Sequence, residues 1–413
     1  MTTLDRPKLR PLSGSRVEHR GRLCVAFEDS LGLIHGQVLI PIELYQQVVR
    51  HFDGSKTIDQ IQARIREEWG QDFPLDELHR LVAELDRAMV LEGPTIANFM
   101  TGYALQKSRP AALAGRSYPS DPAQLRESLA RYFDDPKGSG GVAQHDAGAP
   151  IRAIVSPHID FGRGGPVYTW AYRDLIERSD ADTFVVLGVA HQYCHNRFAL
   201  TRKDFETPLG TVATDTSYVD AIAEIAGSHL FDDELAHRTE HSIEFQAVFL
   251  QYLLGGRRDF SIVPILVGSF HDLMAQRVDP IDDPEVRRMV EALKQAEVTS
   301  GRKVAYIGGI DLCHVGPEFG DPRPIDDATL NQIRTFDHTM IHLATRNDPA
   351  GWFENAAVIQ NRWRVCGLAA TYTLLHAIGP VRGKLLSYDQ AVNPGRSCCV
   401  SFASISFEAI SSP

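Results

Sequence analysis

Three histidines follow apolar, β-branched-rich runs. They are His158 in Pro157-His158-Ile159-Asp160, His191 in Gly188-Val189-Ala190-His191, and His314 in Gly309-Ile310-Asp311-Leu312-Cys313-His314. One histidine placed there is more often a packed or surface residue than a ligand. Three in equivalent places resist that explanation, because open α/β sheets gather ligands beyond the carboxyl ends of their strands. Two further groups join them. Glu240-His241-Ser242 opens a helical run in which His241 shares a face with Phe245, Val248 and Tyr252, so it points inward. Its plain alternative is a buried histidine bonded to a neighbour. Val365-Cys366-Gly367 opens the apolar run CGLAATYTLLHAI. A cysteine at a helix N-terminus has its thiol pKa lowered, which favours a nucleophile or a ligand; its plain alternative is a small buried thiol. Neutral imidazole and thiolate together suit iron, copper or zinc. Asp311 adds a carboxylate that could ligate, orient a histidine or move protons. The chain has no CxxC pair and no HExxH, so any metal would draw its ligands from distant segments.

The elements that must position these residues alternate. Strands are expected over 152–156, 183–187, 261–267 and 303–307, and helices over 240–253 and 328–345. That order indicates an α/β domain with a central, parallel or mixed sheet flanked by helices. Its first helix opens at Asp121-Pro122, an N-cap followed by proline at the first helical position. The stretch 134–150, DDPKGSGGVAQHDAGAP, has the composition of a linker.

Residues 1–95 read as a separate small domain. Leu23–Phe27 and Val38–Ile40 form an expected hairpin around Gly32 and Gly36. Three helical stretches follow. The first runs from Ile42 to Phe52 and stops at Asp53-Gly54. Thr57 with Gln60 predicts a capping box for a helix burying Ile58, Ile61, Ile65 and Trp69. Past Pro74, a third carries Leu75, Leu78, Val82, Leu85 and Met89. A hairpin plus three helices suffices for a small winged-helix-like α+β unit. Residues 96–108 are expected to connect it to a domain spanning 109–413.

Lys plus Arg number 42 against 53 Asp plus Glu, a net charge of −11. That argues against a nucleic-acid partner. No stretch approaches the ~20 apolar residues needed to cross a bilayer. The opening MTTLDRPKLRPLSG lacks a signal peptide's apolar run. Six scattered cysteines show no disulfide framework. The expected compartment is therefore the cytoplasm.

The segments from about residue 109 onward resemble the Memo family, known in bacteria as the B component of AmmeMemoRadiSam systems. Arg109-Pro110-Ala111 through Tyr118-Pro119 is similar to the family's "AGSFYP" opening, Pro157-His158 to "PHAGY", and Gly188–His191 to "GPSH". Thr207-Pro208-Leu209-Gly210 with Asp215 resembles "TPLG…D", and Glu240-His241-Ser242 with Glu244 resembles "EHSIE". Asp311 with His314 resembles "SSDxSH", and Cys366-Gly367 resembles "CGxxP". Seven ordered motifs over ~300 residues form a specific match. The resemblance implies a fold shared with LigB-type extradiol dioxygenases, which are non-haem iron enzymes. It also implies a metal, iron or copper, held at His158, His191 and Cys366, with Asp311, His314 and His241 lining the same pocket. Partners implied by the same resemblance are a radical SAM protein and an AMMECR1-like protein in a modification pathway. It turns 134–150 into a loop inside this domain. Departures are Ile159-Asp160 for "AG", which sets a carboxylate beside the first ligand, and Gly309-Ile310 for the paired serines. Residues 1–95 resemble PqqD-type peptide-recognition domains, through the hairpin, the Asp53-Gly54 turn and the closing "LDRAMVLEG"; that implies a peptide added to the edge of the hairpin sheet.

The leading expectation is an iron-dependent, dioxygenase-like oxidoreductase with His241, Asp311 and His314 as acid/base groups. Two rivals stand beside it: a non-catalytic metal-binding adaptor that recruits a peptide, and a zinc hydrolase.

Overall fold

Residues 4–29, 31–34, 36–142 and 149–410 are described by the structure, a computed structural model. The chain divides into two units, Met1–Gln106 and Lys107–Pro413.

In the first unit, β1 (Ser13–His19), β2 (Arg22–Glu28) and β3 (Val38–Pro41) form an antiparallel sheet in that order. The expected pairing of the second and third runs is present, with Val25 opposite Ile40. The first strand is not legible from hydropathy, because SGSRVEH buries none of its residues. A two-residue Arg20-Gly21 turn with φ of 50° and 73° closes β1 onto β2, as a type I′ hairpin requires. The Thr57–Gln60 capping box starts the helix Ile58–Trp69, which buries Ile58, Ile61 and Ile65. Trp69 stays 43% exposed. Leu75–Arg87 follows, burying Leu78, Val82 and Leu85. The segment expected as a connector holds the helix Pro94–Leu105, started by proline at its first position.

Eleven strands of the second unit form one mixed sheet: β4 (Ser108–Arg109), β5 (Ile151–Ser156), β6 (Thr183–Val189), β7 (Phe198–Leu200), β8 (Asp204–Thr207), β9 (Gly210–Thr214), β10 (Ser261–Val267), β11 (Val304–Gly309), β12 (His314–Val315), β13 (Val381–Val392) and β14 (Cys399–Ala409). Its centre is the parallel set β5-β11-β6-β10, in which β11 inserts between two strands that precede it in the chain. Helices cover the sheet, and every residue of β6 is buried. The mixed, helix-flanked α/β architecture expected from the alternation is therefore present. The long antiparallel pair β13–β14 is an addition to it. Its second strand alternates serine with apolar residues, yet Ser401, Ser404 and Ser406 are fully buried. A strand covered on both faces does not announce itself by polarity.

The Gly-rich stretch belongs to this unit as far as it is described. Gly138 N donates to Asp135 O at 2.7 Å, and Ser139 N donates to Thr169 Oγ1 at 2.9 Å on the helix Phe161–Arg178. Residues 143–148 of that stretch lie outside the described residues. Among the described residues, no helix is long and apolar enough to cross a membrane.

One buried ion pair fixes the start of the unit. Glu244, fully buried, pairs with the guanidinium of Arg109 and accepts from the Tyr118 hydroxyl. Its carboxylate also accepts from Ala112 N at 3.0 Å and Leu113 N at 2.9 Å. Removing one partner of such a pair strands the other's charge. Glu244→Ala is therefore expected to destabilise the unit by about 3–5 kcal/mol, measured by chemical denaturation with Glu244→Gln as the milder control.

Candidate metal centre

Register brings three strand ends level. Gly309 at the end of β11 stands opposite Ser156 of β5 on one side and Gly188 of β6 on the other. Chain leaving these strands carries His158, Asp311 and His191 into one crevice. β6 and β11 run two residues further than the apolar runs suggested, so Gly188 and Gly309 are strand residues.

The helix His241–Leu254 is seated on the same strand ends. Ser242 Oγ donates to Val189 O at 3.0 Å, and Gln246 Nε2 donates to Pro157 O at 2.8 Å. A Cβ on Gly309 would lie 2.6 Å from Ser242 O, and one on Gly188 would lie 2.6 Å from Ser242 Oγ. Only glycine lets the first turn of this helix approach so closely, and that approach puts His241 into the crevice.

The imidazoles of His158, His191 and His241 converge. Their ring centroids are 5.0, 5.1 and 4.7 Å apart in pairs. One ring nitrogen from each lies within 4.8 Å of the others, a grouping that could hold a metal ion. His158 is buried at the floor, His241 is half-buried and His191 is at the exposed rim.

Each ring is already oriented. His158 Nδ1 bonds the Gly309 carbonyl at 2.9 Å. His191 Nδ1 lies 3.1 Å and His241 Nδ1 3.0 Å from Glu240 Oε1. With each Nδ1 engaged as donor, each Nε2 keeps the lone pair that a metal requires of a histidine, that of His158 facing Cys366 Sγ at 3.4 Å. Burial, together with the two neighbouring imidazoles, holds His158 well below the usual histidine pKa and hence neutral. Burial would lower His191 as well, but the hydrogen bond to Glu240 outweighs it and raises its pKa. Burial alone would raise the pKa of Glu240; the hydrogen bonds from His191 and His241 outweigh it and keep the carboxylate ionised. The donor set therefore fits a transition-metal cation.

Cys366 and Asp311 close the other side. Cys366 Sγ is 3.4 Å from His158 Nε2 and donates to Asp311 O at 3.4 Å. The helix here begins at Leu368 with Gly367 as its cap, so Cys366 precedes it. Burial, and then the charge of Asp311, push the thiol well above its usual pKa. The lowering expected from a helix N-terminus does not occur, because desolvation of the thiolate dominates. Asp311 accepts from His158 N at 2.9 Å, and burial pushes its pKa up to about 7. His314 sits with His191 and Cys366 on the wall of one cavity, against Phe319, and burial lowers its pKa to about 4.

All six residues singled out from the sequence thus gather around one crevice, with His241 inside the three-nitrogen group. Asp160 acts locally instead. It caps the helix Phe161–Arg178 by accepting from Arg163 N at 3.2 Å, and it pairs with Arg163 Nε at 2.5 Å. Sequence reasoning gave Glu240 no role. Its only signal was a carboxylate directly before His241 at a helix start.

Fold and site define an α/β protein in which two strand ends and one helix start deliver three histidines to one crevice able to hold a metal ion. A family model described as "Memo-like protein" matches residues 109–406, and the chain belongs to that family. A MEMO1 family protein of Aquifex aeolicus is 26% identical over 386 residues, covering 92% of this chain and 94% of its own. That span is too long for the second unit alone, so the similarity extends into the first. MEMO1 family proteins of Methanopyrus kandleri and Pyrococcus furiosus are 31% and 32% identical, each covering 72% of this chain and 98% of its own.

Because Glu240 orients two imidazoles at once, Glu240→Gln is expected to weaken divalent-metal affinity about 10–100-fold, measured by competition with a chromophoric chelator. Protons compete with the metal for His191. Its raised pKa makes affinity begin to fall at a higher pH than an ordinary histidine would. Removing the Glu240 charge lowers that pKa, so in Glu240→Gln the fall is expected to begin at a lower pH.

Proposed function

We propose that the second unit binds a single transition-metal ion, iron in our reading, and serves as an oxidoreductase centre. The convergence of His158, His191 and His241, each ring held through its Nδ1, carries this reading. When bound, a redox metal with open coordination positions supplies electron-transfer chemistry that no side chain in the crevice can. Resemblance to the family pairs His158 and His191 with Cys366; the Sγ–Nε2 distance of 3.4 Å supports Cys366 as a fourth group within reach. A cation there would offset the burial that now keeps the thiol protonated. Asp311, with a pKa near neutrality, is suited to hold or release a proton beside a substrate. His314 stays neutral and offers a second proton acceptor on the cavity wall.

Anaerobically purified protein is expected to carry close to one equivalent of iron by elemental analysis. His158→Ala, His191→Ala and His241→Ala should each lose it, and Cys366→Ala should bind more weakly. Lack of stoichiometric metal, with Cys366→Ala indistinguishable from wild type, overturns the reading. Recovery of zinc alone, with turnover of an ester or amide library, supports a zinc hydrolase, for which three histidines and an open position are a known arrangement.

A second role is favoured by one observation on the first unit. Among the described residues β1 is an edge strand, paired only with β2, and six of its seven residues are exposed. Such an edge can accept an extended peptide by strand addition, which would recruit a substrate for radical SAM and AMMECR1-like partners. Peptide capture by the full chain, lost on removal of residues 1–95, is the expected outcome; equal capture by both refutes it.

A further inference from the structure

The segment that leads into Cys366 holds an unfavourable backbone. Gln360, Asn361 and Arg364 all take the left-handed region, with φ of 51°, 46° and 53°. Asparagine visits that region more readily than glutamine or arginine. Such conformations persist only where their surroundings over-determine them, and they cluster at functional sites. The stretch closes the end of the helix Pro349–Ala357: Gln360 N donates to Ala357 O at 2.9 Å, and Asn361 N to Ala356 O at 2.8 Å. One left-handed residue is enough to end a helix. This segment uses three within five positions.

The Asn361 side chain grips the residue before Cys366 by both of its polar groups. Val365 N donates to Asn361 Oδ1 at 2.9 Å, and Asn361 Nδ2 donates to Val365 O at 3.3 Å. Arg364 N donates to Asn361 O at 2.7 Å, so the loop closes on this one residue. The strap then lies along residues 311–314: His314 N donates to Trp363 O at 2.8 Å, and Cys366 N to Leu312 O at 3.3 Å. Arg364 anchors it, donating to His314 O at 3.0 Å and pairing with Asp321. Past the thiol, Gly367 packs too closely for any side chain, since a Cβ there would lie 2.5 Å from Ile310 Cβ and 2.9 Å from Asp311 O. Cys366 is thus held by an amide clamp on one side and a close glycine contact on the other. Its Sγ comes to rest 3.4 Å from His158 Nε2. Asn361 is half-buried and lines the same cavity as Cys366, His191 and His314.

Resting on Cys366 as a fourth group of the metal centre, we propose that Asn361 is a positioning residue, which clamps Val365 and thereby holds the Cys366 thiol toward the three histidines. Preorganisation of this kind removes the ordering of the thiol from the work of binding an ion. Without the clamp the strap stays attached through Arg364, but the place of the sulfur is no longer fixed.

The test is a double-mutant cycle on the full chain, read by Co²⁺ affinity and by the near-ultraviolet charge-transfer absorption of a thiolate–Co²⁺ bond. Asn361→Gly removes the amide and leaves a residue at ease with positive φ. Cys366→Ser is expected to weaken Co²⁺ binding about fivefold more in the wild-type background than in Asn361→Gly, the coupling one lost hydrogen bond would give. Absorption per bound Co²⁺ should fall in Asn361→Gly. Asn361→Asp keeps the acceptor for Val365 N–H and loses the donor; it should fall between the two, and it carries the same cycle should the glycine variant fail to fold. Gln360→Gly, at the exposed neighbouring position, relieves a left-handed residue without touching the clamp and should match wild type. In metal-free protein, iodoacetamide should alkylate Cys366 about fivefold faster in Asn361→Gly, measured by mass spectrometry. A merely structural role for Asn361 would lower Tm and leave the two substitutions independent, and that result overturns the proposal. So does an unchanged alkylation rate, or Gln360→Gly behaving as Asn361→Gly does. If wild type shows no thiolate absorption while alkylation still responds to Asn361, the thiol is positioned but is no ligand, and only the metal reading of Cys366 fails. Thiolate absorption with independent substitutions does the reverse.

Discussion

The Glu240 carboxylate is the interaction on which the site depends. Burying a charge is expensive unless it is paired and hydrogen-bonded. Here five N–H groups surround one carboxylate: the backbone and Nδ1 of His191, the backbone and Nδ1 of His241, and the backbone of Ser242. Two of these are orphan donors at the start of a helix, which any helix must satisfy somehow. A single side chain therefore caps the helix His241–Leu254, holds the turn after β6 and sets the tautomers of two imidazoles. Stability of the local fold and readiness of the site for a metal share one set of bonds.

That arrangement can form only because backbone approaches backbone closely at two points. Gly188 and Gly309 leave room for the first turn of the helix to rest on the sheet. Ser242 and Gln246 then bond it to the ends of β6 and β5. Rigid elements thus flank the site: His241 opens the helix, while His158 and His191 follow shortly after the ends of β5 and β6. His158 lies at the buried floor and His191 at the open rim, so the crevice has one closed side and one side continuous with the cavity that His191, His314 and Cys366 line.

The relatives differ in how much of this chain they cover. Archaeal MEMO1 family proteins match over nearly their whole length to 72% of this chain. What corresponds to a whole protein there is the Memo-like unit here. Similarity to the Aquifex aeolicus protein runs into the first unit as well, so that unit is not peculiar to this chain.

Much of this was written in the local sequence. Strand cores over 152–156, 183–187 and 261–267, the capping box at Thr57 and Gln60, and the inward face of His241 all follow from periodicity and capping, which are short-range physics. That these residues meet at strand ends was also legible, because ligands gather there in an α/β sheet; the sequence reading set Cys366 with His158 and His191, whereas the ring nitrogens that come within 4.8 Å of one another are those of His158, His191 and His241. Tertiary structure alone decided the rest. β11 lies between β5 and β6 although it follows both in the chain, and that register determines which strand ends are neighbours. The thiol of Cys366 is pushed well above its usual pKa, because desolvation in the crevice outweighs its place near a helix. Glu240 reads as an ordinary helix cap until the fold sets His191, 49 residues away in sequence, against the same carboxylate. Desolvation and long-range hydrogen bonding depend on distances between segments that no local pattern encodes. For that reason the residues of this centre could be chosen from the sequence, while their protonation and division of labour required the folded chain.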